Sequence, residues 1–199
     1  MSTVAISAPP AVLADAVVPA ATWRDAVVVL GGALLVALAA QIQIPLPFTP
    51  VPLSGQTFAV SLVGASLGSR RGALSLVVYL LIGALGAPFY AGGTGGLGTL
   101  LGPTVGYLLG FVGAAAAIGA LAERRADRAP LTAFFSFLAS SLIIFTCGVA
   151  GLMITLDLSL SDAFVLGVLP FIPGDLIKSG LAAGLLPAAW RMVERFTRR

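Results

Sequence analysis

Two uncharged runs constrain this chain more than any other feature. No Asp, Glu, Lys or Arg occurs from Ala26 to Ser69 or from Gly72 to Ala122, stretches of 44 and 51 residues. At roughly 20 residues per bilayer crossing, each run holds about two crossings. The composition agrees: 58% of residues are hydrophobic, 10% are charged and the mean hydropathy is +1.05, against about 45–50% apolar and about 25% charged in soluble domains. The chain reads as a membrane protein. Backbone polar groups in lipid must be satisfied internally, and the runs are continuously apolar with no period-two alternation, so a helical bundle is expected over a β-barrel. The expected fold class is all-α.

Histidine is absent and Cys147 is the one cysteine, which removes imidazole bases, disulfide frameworks and multi-cysteine metal sites. No cofactor is expected. A net charge of +3 with a pI near 9.6 would suggest a nucleic-acid patch in a soluble domain, but here the cations sit in short loops between apolar runs, where they set topology. Nucleic acid is therefore not expected as a partner. Residues 1–22 begin without the basic segment of a secretory signal, and Pro9, Pro10 and Pro19 oppose a long helix. They are expected to form a cytoplasmic tail ahead of a single six-helix domain, residues 23–199.

The expected crossings run from about Arg24 to Ile44, Gln56 to Leu67, Gly72 to Leu85, Pro103 to Leu121, Leu131 to Leu156, and Pro173 to Arg195. The second and third are short, and segment 163–171 suggests a short interfacial helix. Loops then fall alternately on the two sides. One set carries Arg24, Arg70, Arg71, Arg124, Arg125, Arg128, Arg191, Arg195, Arg198 and Arg199, ten of the eleven cations. The other set, Pro45 to Gly55, Pro88 to Gly102 and Asp157 to Phe171, carries none, so by the positive-inside rule both termini face the cytoplasm.

The remaining cation, Lys178, lies inside the sixth crossing, three residues after Asp175 and on the same helical face. Ionisable residues in a span are costly and mark cavities or pathways. Lys178 would hold an anion such as a carboxylate, and Asp175 would accept N–H donors. The competing reading is structural, with Asp175 at the positive end of its helix and Lys178 snorkelling outward. The segment Ala91 to Gly98 has five glycines in eight residues, which permits close approach to a ligand or a packed re-entrant turn, or else a plain surface loop. It lacks the strand and lysine of a phosphate-binding loop. Pro45 to Thr57 is stiffened by four prolines and offers Ser54, Gln56 and Thr57 as neutral polar partners, so a lid over an outward cavity competes with a plain connector. Ala33 and Ala37 have the small-x-x-x-small spacing that lets helices approach closely, with packing inside the chain as the simpler meaning. Of Tyr79, Tyr90 and Tyr107, only Tyr90, beside the glycine segment, is singled out as a ligand contact.

Five ordered motifs carry a resemblance: Pro50-Val51-Pro52-Leu53-Ser54-Gly55-Gln56-Thr57, Leu67-Gly68-Ser69-Arg70-Arg71-Gly72, Ala91-Gly92-Gly93-Thr94-Gly95-Gly96, Gly102-Pro103-Thr104-Val105-Gly106-Tyr107-Leu108-Leu109-Gly110-Phe111, and Phe171-Ile172-Pro173-Gly174-Asp175-Leu176-Ile177-Lys178. Together, over about Arg24 to Arg195, the chain resembles the BioY family, the biotin-binding S components of energy-coupling factor (ECF) transporters. The resemblance implies a six-helix protein of the cell membrane that captures biotin from outside in an outer-leaflet cavity, with the first outer loop as a lid. It implies a biotin site containing Asp175, Lys178, Gln56, Gly92 and Gly93, with Lys178 at the valerate carboxylate. It also implies Ala33 and Ala37 as the docking stripe for a transmembrane T component, which with two ATPase subunits supplies the energy this chain cannot. Val105 departs from the family pattern, where a small residue is expected.

An S component for a different vitamin is the nearest alternative, and a passive channel a more distant one, since no ring of charges lines any span. An intramembrane enzyme is not expected: without histidine, and with Asp175 the one carboxylate inside a span, neither a Ser/His pair nor an aspartate dyad can be assembled.

Overall fold

The computed structural model describes residues 11–18 and 21–197; Pro9, Pro10, Pro19, Arg198 and Arg199 lie outside it. Among the described residues six helices form the bundle: α2 (Arg24–Ala40), α3 (Gln56–Leu67), α4 (Ser69–Ala84), α6 (Val105–Glu123), α7 (Pro130–Leu156) and α9 (Ile172–Thr197). Three shorter ones decorate it: α1 (Leu13–Val17), α5 (Leu97–Leu100) and α8 (Leu160–Gly167). The protein is a helical membrane protein. α6, α7 and the stretch from Leu160 to Arg195 are each long and apolar enough to cross a bilayer. α3, at 12 residues, rises only about 18 Å.

Helix ends follow local chemistry. Pro130 occupies the first turn of α7, where its missing N–H costs nothing. The α3–α4 corner turns on Gly68 at φ +87°, a conformation that side chains oppose. Glu123, at the end of α6, accepts the Ser69 N–H at 2.8 Å and so satisfies one of α4's free amides.

α6 is the central helix, packed on α3, α4 and α7, and small residues let it approach so closely. A Cβ at Gly151 of α7 would lie 2.7 Å from the Cα of Gly106 of α6, and one at Gly64 of α3 would lie 2.5 Å from the Ala115 carbonyl oxygen. Val36, Val60, Leu76, Tyr79, Ile144 and Leu152 fill the core. Leu30, Leu34 and Leu38 of α2, Leu109 of α6, Leu142 and Ile154 of α7 and Leu181 of α9 point outward, as suits helices whose solvent is lipid.

Two features depart from expectation. Residues 13–17, read as part of a tail, form α1, which packs on α3 and α9 with Val12 and Ala14 buried. Asp15 accepts from Arg24 Nη2 at 2.7 Å and Arg71 Nη1 at 2.8 Å, and Asp25 accepts from Arg71 Nε at 3.0 Å. Five residues suffice for a helix once this ion-pair cluster anchors them; the prolines on which the expectation of no long helix rested lie outside the described residues. The second departure is a hairpin in the proline-rich segment: β1 (Gln43–Ile44) pairs antiparallel with β2 (Leu53–Ser54), Gln43 opposite Ser54.

Candidate ligand-binding site

The hairpin, the segment between α4 and α6 and the start of α9 converge around a cavity of about 180 Å³. Its wall is mostly apolar and aromatic, with Val51, Leu53, Leu108, Phe111, Phe145, Phe171, Tyr90 and Tyr107, interrupted by Ser54, Gln56, Thr57, Thr94, Thr99, Thr104, Asp175 and Lys178. That is the general design of a small-molecule site: apolar bulk with a few placed polar groups.

Asp175 and Lys178 stand on the first two turns of α9 and both line the cavity. They do not pair with each other. Lys178 Nζ donates to the Ser54 carbonyl oxygen and to Thr57 Oγ1, each at 2.8 Å. Asp175 Oδ1 accepts from Ser141 Oγ of α7 at 2.7 Å. The lysine therefore does not snorkel outward; it ties α9 to the foot of the hairpin and the first turn of α3. An ammonium has three donors, so one N–H is left over beside the cavity. Asp175 Oδ2 likewise has no partner among the described residues.

The other candidates divide. Gln56 is 6% exposed and lines the cavity, but its amide is engaged: Nε2 donates to Tyr79 Oη at 2.7 Å and Oε1 accepts from Ser54 Oγ at 3.0 Å. Tyr90 also lines the cavity, with its ring edge-on to Tyr79 at 5.7 Å and its hydroxyl donated to the Leu80 carbonyl at 2.7 Å. It offers a ligand its ring and not its oxygen. Burial raises the pKa of that hydroxyl above the ordinary phenol range.

Gly92 and Gly93 do not line the cavity, whereas Ala91 and Thr94 on either side of them do. The glycines sit at φ +70° and +71° in the 3-10 turn Ala91–Gly93, where Gly92 packs against the Gln43 amide with no room for a Cβ. Their role is to turn the chain so that its neighbours face inward. Ala33 and Ala37 are also corrected: at 1% and 5% exposed they belong to the core cluster, and Gly32 beside them packs on Ser75 of α4 and Val63 of α3. A face buried inside the chain has no surface for another subunit, so their spacing reports packing of α2 within the bundle. No group of three or more His, Cys, Asp or Glu that could hold a metal occurs among the described residues.

Ser141, Thr104 and the aromatic wall of Phe111, Phe145 and Phe171 were not read from the sequence. For Ser141 there was a signal, since Ser140-Ser141 interrupts an otherwise apolar crossing, and polar residues there tend to bond between helices. Ser140 does so too, sharing a 2.8 Å hydrogen bond with Ser61 of α3.

Comparison with known proteins adds four findings. The model of the BioY family matches residues 12–195. "Biotin transporter BioY" of Rhizobium etli is 38% identical over 168 residues, covering 80% of this chain and 89% of that protein. "Biotin transporter BioY" of Thermotoga maritima is 39% identical over 144 residues, covering 70% and 81%. The fold is similar to a solved crystal structure described as the S-component for biotin from an ECF-type ABC transporter, with a TM-score of 0.74 and 23% identity over 88% of this chain and 92% of that one. The relatives are named as transporters and not as enzymes.

Proposed function

This chain belongs to the BioY family, and on that premise we propose that it is the substrate-capturing S subunit of a biotin uptake transporter. The six-helix bundle lies in the cell membrane, both termini lie in the cytoplasm, and the cavity opens in the outer leaflet. Biotin enters from outside and is delivered inward with a T component and two ATPase subunits. The absence of any phosphate-binding loop from the chain supports an energy source elsewhere.

The observation that carries this reading is Lys178. Its ammonium is fixed at the cavity wall by two hydrogen bonds and keeps a third N–H for an anion. Biotin is a mainly neutral ring system with one carboxylate, so a single cation in a largely apolar cavity matches it. Asp175, Gln56 and the Tyr90 ring supply the remaining contacts. The Pro45–Gly55 segment supplies Val51, Leu53 and Ser54 to the cavity wall, which supports it as a lid over the site.

Competition for radiolabelled biotin on the purified chain tests the reading. Desthiobiotin, which keeps the carboxylate and the ureido group, should compete well; biotin methyl ester, thiamine and riboflavin should compete poorly. Equal competition by the ester would contradict a cation at the carboxylate end, and displacement by thiamine or riboflavin would favour a different vitamin.

A further inference from the structure

Asp175 and Lys178 should, by their position, neutralise each other. Residues three apart on a helix are surface neighbours about 5–6 Å apart at Cβ, and the flexible lysine stem can reach a carboxylate at that distance. The pair sits mostly out of water, Asp175 being 8% exposed, where opposite charges attract more strongly than at a surface. Yet both charges are drawn off by other elements. Ser141 Oγ, 6% exposed on α7, holds Asp175 Oδ1 at 2.7 Å. Ser54 and Thr57, on β2 and α3, hold Lys178 Nζ.

We infer that Ser141 is a positioning residue: by fixing the Asp175 carboxylate toward α7, it keeps that carboxylate off Lys178 and so preserves the ammonium for the anionic end of the ligand. The inference rests on the reading of Lys178 as the partner of the ligand carboxylate. An internal carboxylate free to turn onto Lys178 competes with an incoming one for the same N–H groups, and unlike the ligand it is always present. Asp175 is then useful to the ligand's N–H donors only while something else restrains it, and the Ser141 hydroxyl is the group placed to do so. Ser141 itself is not among the residues lining the cavity, so its effect on binding passes through Asp175.

The test is biotin affinity, measured on the purified full chain for wild type, Ser141→Ala, Ser141→Thr, Asp175→Asn and Ser141→Ala combined with Asp175→Asn. Loss of a charge-assisted hydrogen bond corresponds to roughly a tenfold effect. Ser141→Ala should weaken biotin binding about tenfold, and Ser141→Thr, which keeps the hydroxyl, should recover most of it. In the Asp175→Asn background Ser141→Ala should change affinity less than about twofold, because the competing charge is gone. Binding of biotin methyl ester, which carries no anion, should be insensitive to Ser141→Ala. Equal losses in both backgrounds, or for both ligands, would show that Ser141 acts by packing, and no loss at all would also overturn the inference. Lys178→Ala is run alongside: if it leaves biotin binding intact, the reading of the site fails and takes this inference with it, whereas the other failures overturn the inference alone.

Discussion

Asp127 illustrates what a single misplaced charge does in this chain. It is 2% exposed in the loop between α6 and α7, with Trp190 Nε1 donating to Oδ2 and with Oδ1 lacking a partner among the described residues. Burial pushes its carboxyl above the usual carboxylate range, against the opposing effects of the Trp190 hydrogen bond and the Arg128 charge. A carboxyl whose pKa is raised on folding takes up a proton in the folded state, so its contribution to stability is present in acid and is lost as pH rises through the raised value. The contribution of Asp127 to stability should therefore fall as pH rises above about 4. Asp127→Asn, which mimics the protonated form, should raise the apparent melting temperature at pH 7 and flatten that decline; an unchanged pH profile would contradict the assignment. At the same scale, Asp175 and Lys178 were legible in the sequence because charge inside an apolar run is conspicuous. Their partners were not, since Ser141 and Thr57 are small hydroxyl residues whose meaning depends on which helix lies opposite. Gly92 and Gly93 were read as lining for the reason that they permit close approach, but the approach they permit is to Gln43.

The elements divide between those set by sequence pattern and those set by tertiary contact. α3 has the bounds predicted for it, because Gly55 and Gly68 flank a largely apolar, uncharged run. The β1–β2 hairpin escaped notice because two-residue strands leave no alternation to read and four prolines suggest irregular chain. What holds the hairpin is distant: Val51 is buried in the core, and Thr49 Oγ1 donates to the Leu166 carbonyl at 2.8 Å at the end of α8. Thr49→Val keeps the shape and removes that bond. It should speed biotin release by about fivefold, the equivalent of about 1 kcal/mol, with little change in melting temperature; an unchanged release rate would show that the tip contact does not restrain the proposed lid. The α6–α7 contact makes a separate prediction. Because Gly106 and Gly151 touch backbone to backbone, Gly151→Ala should overpack the interface at a cost of about 1–3 kcal/mol, seen as a lower melting temperature. Ala at Gly31, where no atom lies within 4 Å of a Cβ, should be harmless.

For the whole molecule, fold class followed from the uncharged runs, since lipid leaves few solutions for an apolar chain, and helix order from the prolines, glycines and charged loops that punctuate it. The asymmetry of charge also predicts orientation. Reporter tags in the loop holding Arg124, Arg125 and Arg128 should report the cytoplasm, and tags near Asp157 the outside; the reverse would overturn the proposed topology and place the cavity on the wrong side for uptake. The family-implied docking stripe fared differently, because Ala33 and Ala37 face α3 and α4 and a small-residue spacing does not reveal which way it points. On the proposed reading, one lysine in a mostly apolar cavity selects biotin by its carboxylate. Equilibrium binding of radiolabelled biotin to purified wild type and to Lys178→Ala tests it most directly. Wild type should bind saturably and the variant should lose at least about tenfold in affinity, the scale of a charge-assisted hydrogen bond, while the variant remains folded. Wild-type affinity in a folded Lys178→Ala chain, or no binding by either, would contradict it.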